Sequence, residues 1–158
     1  MIKGELIKSA SELKAPSADS VQEFEKYQLT LVSEMNDTMK SRKDIDQLIG
    51  EGNISMMEDN HHNHYRFLIS LFNHYQAEVL VETVIWVFKT YRSHGFRLTY
   101  WPAQLNHWID LYKKHFTKKT FTEIYPFYNW MIINQPSFVI ESERVNSNDQ
   151  EPSHDKHI

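Results

Sequence analysis

Cysteine is absent from the 158-residue chain. That excludes a disulfide scaffold, a thiol nucleophile, a thiolate metal site and a thioether-linked chromophore, and it fits a reducing compartment. Glycine and proline are scarce, with four and five residues. A fold of many short strands joined by tight turns needs more of both. No apolar run approaches the ~20 residues of a membrane span, and the N-terminus lacks the apolar segment of a signal peptide. The expected setting is therefore the cytoplasm, with no membrane partner. An excess of positive charge is missing too: 17 basic against 21 acidic residues leave a net charge of −4. Binding to nucleic acid needs a basic stripe, so it is not expected. The pairs Lys113-Lys114 and Lys118-Lys119 read as a solvated helix end and its neighbour. No Gly-rich phosphate loop, serine nucleophile elbow or His-Glu-x-x-His sequence occurs, and without them catalysis has no visible seat.

Aromatic residues are abundant, with nine Phe, eight Tyr and four Trp. Together with the shortage of turn residues, they predict long helices around an aromatic interior. Residues 1–20 read as a flexible N-terminal arm. Asp19 and Ser20 are placed to cap a helix over about 21–36, with Phe24, Tyr27, Leu31 and Met35 on one stripe. Ile45, Leu48 and Ile49 allow a short helix in the polar stretch that follows. Asn53 or Ser55 opens a long helix to about Tyr75, striped with His61, His64, Leu68 and Leu71. Residues 79–88 are apolar at eight of ten positions. A strand there would have no sheet partner elsewhere, so helix is expected. Gly95 breaks the pattern. Helix resumes near Thr99, with Pro102 in its first turn. A last helix runs from Thr117 or Thr120 to about Ile140, kinked or divided by Pro126 and Pro136. From Glu141 the chain is polar and reads as a disordered tail.

The segment 72–101 carries a recognisable layout. Phe72 ends one helix, an apolar helix leads to Tyr91-Arg92-Ser93-His94-Gly95-Phe96, and Tyr100-Trp101 opens the next. This resembles the bacterial sensor globins: the globin-coupled sensors and the haem-free globin domains of stressosome regulators. In the haem-binding members a proximal His stands four residues before the glycine, and an aromatic pair follows. Gly95, Phe96, Tyr100 and Trp101 match those places, but the proximal position holds Tyr91. The chain therefore resembles the haem-free branch more closely. The resemblance covers about 50–140. It implies a globin-like helical domain of five or six helices over 21–140, a homodimer through the last two long helices, and a sensing role.

Three constellations could carry chemistry. Phe72, Trp86, Tyr91, His94, Phe96, Tyr100 and Trp101 form a candidate ligand pocket. With the axial His missing, no cofactor is expected there, and haem on His94 or the Tyr91 phenolate is the alternative. Trp108, Tyr112, Tyr128 and Trp130 are candidates for the dimer face, because such side chains join an apolar body to a polar tip. Glu58-x-x-His61 and His64 offer a weaker metal site. The second Glu-x-x-His of a di-iron bundle is missing, and acidic residues at a helix start are favourable without any metal.

These observations lead to an all-α, non-catalytic sensory or regulatory module that acts on a downstream signalling protein in trans. A haem globin with an atypical axial ligand and a metal-binding helical bundle are the alternatives.

Overall fold

The computed structural model describes residues 1–144: of the tail expected from Glu141, residues 141–143 are helical, and the part from 145 onward lies outside the described residues. Those residues are all-α, without strands. Nine helices form among the described residues: α1 (Ile2–Ala10), α2 (Ala18–Lys26), α3 (Gln28–Lys40), α4 (Ile45–Ile49), α5 (Ile54–Asn73), α6 (Ala77–Ser93), α7 (Tyr100–His115), α8 (Lys118–Ile133) and α9 (Gln135–Glu143). The expected five or six is too low, for local reasons. The stretch 1–20 contains α1, which buries Leu6 and Ala10. The helix expected over 21–36 is interrupted at Tyr27, whose backbone (φ −90°, ψ 6°) leaves the helical region. The last expected helix divides at Asn134 (φ −100°, ψ 11°).

That division has a covalent cause. Pro136 has no N–H to offer the Ile132 carbonyl four residues earlier. Asn134 Nδ2 donates to the Trp130 carbonyl at 2.8 Å, and Gln135 Nε2 donates to that of Met131 at 3.0 Å. Side chains thus take over carbonyls near the end of α8. Pro126 lies inside α8 without dividing it. Thr122, whose carbonyl loses its donor there, is exposed, so water can replace it.

Helix packing falls into two groups. α1, α6 and α9 pack on one another. α2, α3, α5, α7 and α8 form the larger group, and α8 meets α9. The larger group is centred on stacked rings. Phe24 lies 4.1 Å from Tyr65 at 6° between planes, and Phe72, Tyr112 and Phe116 surround Phe24. Each such ring buries a large apolar area and so contributes to the hydrophobic stabilisation of this group. Three polar tips in the interior find backbone or hydroxyl partners: Tyr65 donates to the Phe24 carbonyl, Tyr75 to that of Ala10, and Trp130 Nε1 to Ser9 Oγ at 2.9 Å.

The hinge around Gly95 is built from two left-handed glycines, Gly50 (φ +87°) and Gly95 (φ +100°). Asn53, although it precedes α5, does not cap it with its side chain. Its Nδ2 instead donates to the Ile49 and His94 carbonyls, both at 2.8 Å, and Arg97 N–H donates to the Leu48 carbonyl at 2.8 Å. The α4–α5 turn is thereby stitched to the α6–α7 turn. This fixes where α6 ends and α7 begins.

Candidate functional site: a cavity at the seam of two helix groups

Between the two groups lies a cavity of about 40 Å³. α5 contributes Asn60, His64, Phe67 and Leu68 to its wall, and α6 contributes Leu80, Thr83, Val84, Val87 and Phe88. Trp101, Gln104 and Leu105 come from α7, Met131 from α8 and Gln135 from α9. Helical spacing explains the wall. Asn60, His64 and Phe67 share one face of α5, and Leu80, Thr83 and Val87 share one face of α6.

A hydrogen-bonded network runs from this cavity into the core. Tyr100 OH donates to Asn60 Oδ1 at 2.8 Å, and Gln104 Nε2 donates to the same oxygen at 2.6 Å. Gln104 Nε2 also lies 3.2 Å from Tyr100 OH, and His61 Nε2 lies 3.2 Å from it on another side. His61 Nδ1 is 2.7 Å from Asn36 Oδ1. An amide oxygen accepts only, so His61 carries its proton on Nδ1, and its Nε2 and Asn60 Oδ1 are alternative acceptors for the single Tyr100 hydroxyl proton. A second chain joins His64 Nε2 to Tyr128 OH at 2.7 Å, and Tyr128 OH to Tyr112 OH. Trp108 stacks on His64 at 5.3 Å and meets His61 edge-on at 5.9 Å.

Desolvation in this interior drives both histidines to about 3, well below the usual 6.5. The proximity of His64 and His107 adds to the effect at His61. Both imidazoles are therefore neutral at physiological pH. Burial also raises the phenols of Tyr100, Tyr112 and Tyr128 well above their ordinary range. Every group in the network is uncharged.

Three polar atoms of the cavity residues have no partner from the protein: Thr83 Oγ1, Trp101 Nε1 and Gln104 Oε1. Their residues are almost fully buried, at 1%, 4% and 0% exposure. Trp108 Nε1 is likewise unpartnered but belongs to a residue outside the cavity wall. A buried polar atom left unpaired costs ~1–3 kcal/mol, and these three are closed to solvent while the surface that the cavity exposes is almost wholly apolar.

Comparison with protein-family models, curated proteins and solved structures finds no match to this chain. Its function has to be read from the site itself.

The residues singled out from the sequence fall in several places. Of the expected pocket set, only Trp101 borders the cavity. Tyr91, Phe96, Tyr100 and Trp101 do assemble, as successive edge-to-face rings 4.9–5.8 Å apart. They form a filled aromatic cluster. Phe72 packs elsewhere, against Phe24 and Phe127. Trp86 is half-buried, and His94 is exposed with Nδ1 2.9 Å from the Thr90 carbonyl. Haem, which the sequence resemblance brings into question, does not fit these residues. His94 is exposed at the end of its helix and does not border the cavity, Tyr91 is enclosed by Phe96 and Trp101, and a cavity of 40 Å³ is far below a site for a large ligand, ~300–1,000 Å³.

Trp108, Tyr112, Tyr128 and Trp130, expected at a dimer face, are all interior residues of the single chain. Glu58 turns to Lys40 at 3.0 Å, while His61 and His64 are held by Asn36, Tyr100 and Tyr128. Among the described residues no three His, Asp or Glu side chains gather into a metal site. No described helix is long and apolar enough to cross a membrane.

Sequence reasoning missed Asn60, Thr83 and Gln104. A signal for them existed: each is a polar, uncharged residue set among apolar or aromatic residues at helical spacing. Thr83 sits between Leu80 and Val87, Asn60 between Met57 and Phe67, and Gln104 between Trp101 and Trp108.

Proposed function

We propose that this chain is a non-catalytic sensory module with a globin-like arrangement of its helices, which passes a change in helix packing to a partner protein in trans. The observation that carries this reading is the position of the cavity. Its wall is made jointly by α6 and α9 from one packed group and by α5, α7 and α8 from the other. A molecule bound there touches both groups at once. It favours whichever relative packing it fits better, and a population shift follows from that difference in affinity.

The chemistry of the wall supports a binding role over a catalytic one. His64 is the sole titratable residue among those lining the cavity. A general base works best with a pKa near the operating pH, and this imidazole is depressed to about 3. Output surfaces belong to the same proposal. Tyr125 and Ile133 on α8 and Ile140 on α9 are exposed apolar side chains at 40%, 64% and 49%. A homodimer or a downstream signalling protein would use these rather than the interior tryptophans.

Hydrogen exchange of the full chain, with and without a panel of small probes, tests the reading. A probe that enters the cavity is expected to slow exchange in α6 and to alter it in α9. If no probe changes exchange in either helix, the reading fails.

A further inference from the structure

We infer that the cavity takes a small apolar molecule of only about one to three heavy atoms, held by dispersion contacts rather than by hydrogen bonds or charge. The inference rests on the sensory reading above and names its ligand class.

Water is the first competitor for the space, and the wall disfavours it. A buried water needs about two to four polar partners. Thr83 Oγ1, Trp101 Nε1 and Gln104 Oε1 belong to residues of the wall, but the atoms themselves are closed to solvent. Asn60 Oδ1 already accepts from Tyr100 and Gln104, and His64 Nε2 is paired with Tyr128 OH. The surface that remains is almost wholly apolar, with Leu68, Leu80, Val87, Phe88 and Leu105 among its members. A water entering it gives up hydrogen bonds that nothing replaces, whereas an apolar molecule has none to give up. The apolar molecule also gains dispersion contacts with wall atoms that otherwise face a void.

Charge is excluded as well. No Lys, Arg, Asp or Glu lines the cavity. His64, the one titratable group there, is neutral, since its desolvated ring is depressed to about 3. An anion would find no cation, a cation would find no carboxylate, and an unpaired buried charge is strongly disfavoured.

Size narrows the class further. A cavity of about 40 Å³ corresponds to roughly three water-sized positions, whereas a dry cavity that admits benzene is about 150 Å³. An aromatic ring therefore does not fit, and the class is that of the smallest hydrocarbons and other apolar molecules of their size.

Ethane, methanol and methylammonium separate the alternatives, because they share nearly one shape and differ in polarity and charge; benzene tests the size. In a methyl-resolved spectrum of the full chain, ethane is expected to move the signals of Leu80 and Val87 and to leave in place that of Leu31, which is buried on α3 outside the wall. It should bind at least about tenfold more tightly than methanol or methylammonium, and benzene should leave all these signals fixed. Val84→Ile combined with Val87→Ile adds bulk to the wall and is expected to weaken ethane about fivefold or more. The ranking of the solutes is measured on the unaltered chain, so it decides the class even if that variant fails to fold. Methanol or methylammonium binding at the seam as tightly as ethane, or benzene entering it, overturns the ligand class but leaves a ligand-accessible seam and thus the sensory reading. An unchanged affinity for ethane in a folded double variant also overturns the class. Ethane that binds without altering hydrogen exchange in α6 or α9 supports the class and removes the sensory role. Exclusion of every probe removes both.

Discussion

Glu23 and Glu123 each hold the start of the other's helix. Glu23 on α2 accepts from Thr117 N–H at 2.9 Å, from Thr117 Oγ1 at 2.9 Å and from Thr120 Oγ1 at the start of α8. Glu123 on α8 accepts from Ser17 N–H at 2.7 Å at the start of α2. The local sequences correspond: Ser17, Ser20 and Glu23 have the spacing of Thr117, Thr120 and Glu123. The N-caps accept from N–H groups three residues on, and the hydroxyls of Ser20 and Thr120 meet at 3.3 Å. The clamp sets the register of α2 on α8, which carries Met131 to the cavity.

Removing either carboxylate should therefore loosen the register. Glu23→Ala, which leaves three donors without their acceptor, is expected to cost about 1–3 kcal/mol, and Glu123→Ala about 1 kcal/mol. Urea unfolding of both single variants and the double variant checks this. If each change costs under about 0.3 kcal/mol, within the scatter of additive distant sites, the clamp contributes nothing.

Acid should weaken the fold well before carboxylates titrate. His61 and His64 sit at about 3 in the folded protein against 6.5 when unfolded, so the unfolded chain binds more protons between those values. Their contribution is complete above pH 6.5 and is lost progressively as pH falls towards 3. Each histidine then removes about 1.4 kcal/mol per pH unit. Glu23 and Glu123, whose folded values are lowered by the clamp's hydrogen bonds, add losses of the same sign at lower pH. Melting curves at pH 7, 6 and 5 should show a falling Tm, with a shallower fall in His64→Gln. Titration of the His61 and His64 imidazole signals near 6.5 in the native protein would contradict this account.

The glycines of the hinge should differ in a definite order. At Gly95 a Cβ meets only Asn53 Nδ2 at 3.7 Å and the Ile49 carbonyl at 3.9 Å. Gly95→Ala therefore costs only the left-handed backbone, about 1–2 kcal/mol. At Gly50 a Cβ would lie 3.1 Å from Asn53 Nδ2 and 3.3 Å from the Gly95 carbonyl, so Gly50→Ala should cost more. Equal losses of stability would mean that the two turns are not pressed together.

Tyr128 stands between two partners, Tyr112 OH and His64 Nε2. Tyr128→Phe leaves both without it and should cost about 2–3 kcal/mol, whereas Tyr112→Phe removes one end of the chain and should cost about 1 kcal/mol. Thermal unfolding of the two variants measures the order. A smaller loss for Tyr128→Phe would show that the hydroxyl chain is not formed.

Helical periodicity made the main course of α5, α6 and α7 legible, together with the break at Gly95 and the cap at Thr117. The break at Tyr27 was not legible, because it is one residue of altered backbone within a pattern that continues through it. Pro136 was legible as a disruption, but division rather than kinking depends on Asn134 and Gln135 bonding back to α8. Trp108 and Trp130 illustrate the limit for the site. A stripe of aromatic residues looks the same whether it faces a core or a partner, and only the packing of five helices around Phe24 and Tyr65 decides it. The cavity was less legible still, since it is a gap left where five helices meet and no local pattern records it.

The four tryptophan indole N–H signals offer the most direct test of a ligand seam between the two helix groups. In a nitrogen-resolved proton spectrum, a small probe that enters the cavity should move the Trp101 signal, whose residue lines it, and leave that of Trp130, which is bonded to Ser9, in place. If Trp101 stays fixed at every probe concentration while the fold remains intact, the seam does not take such a ligand.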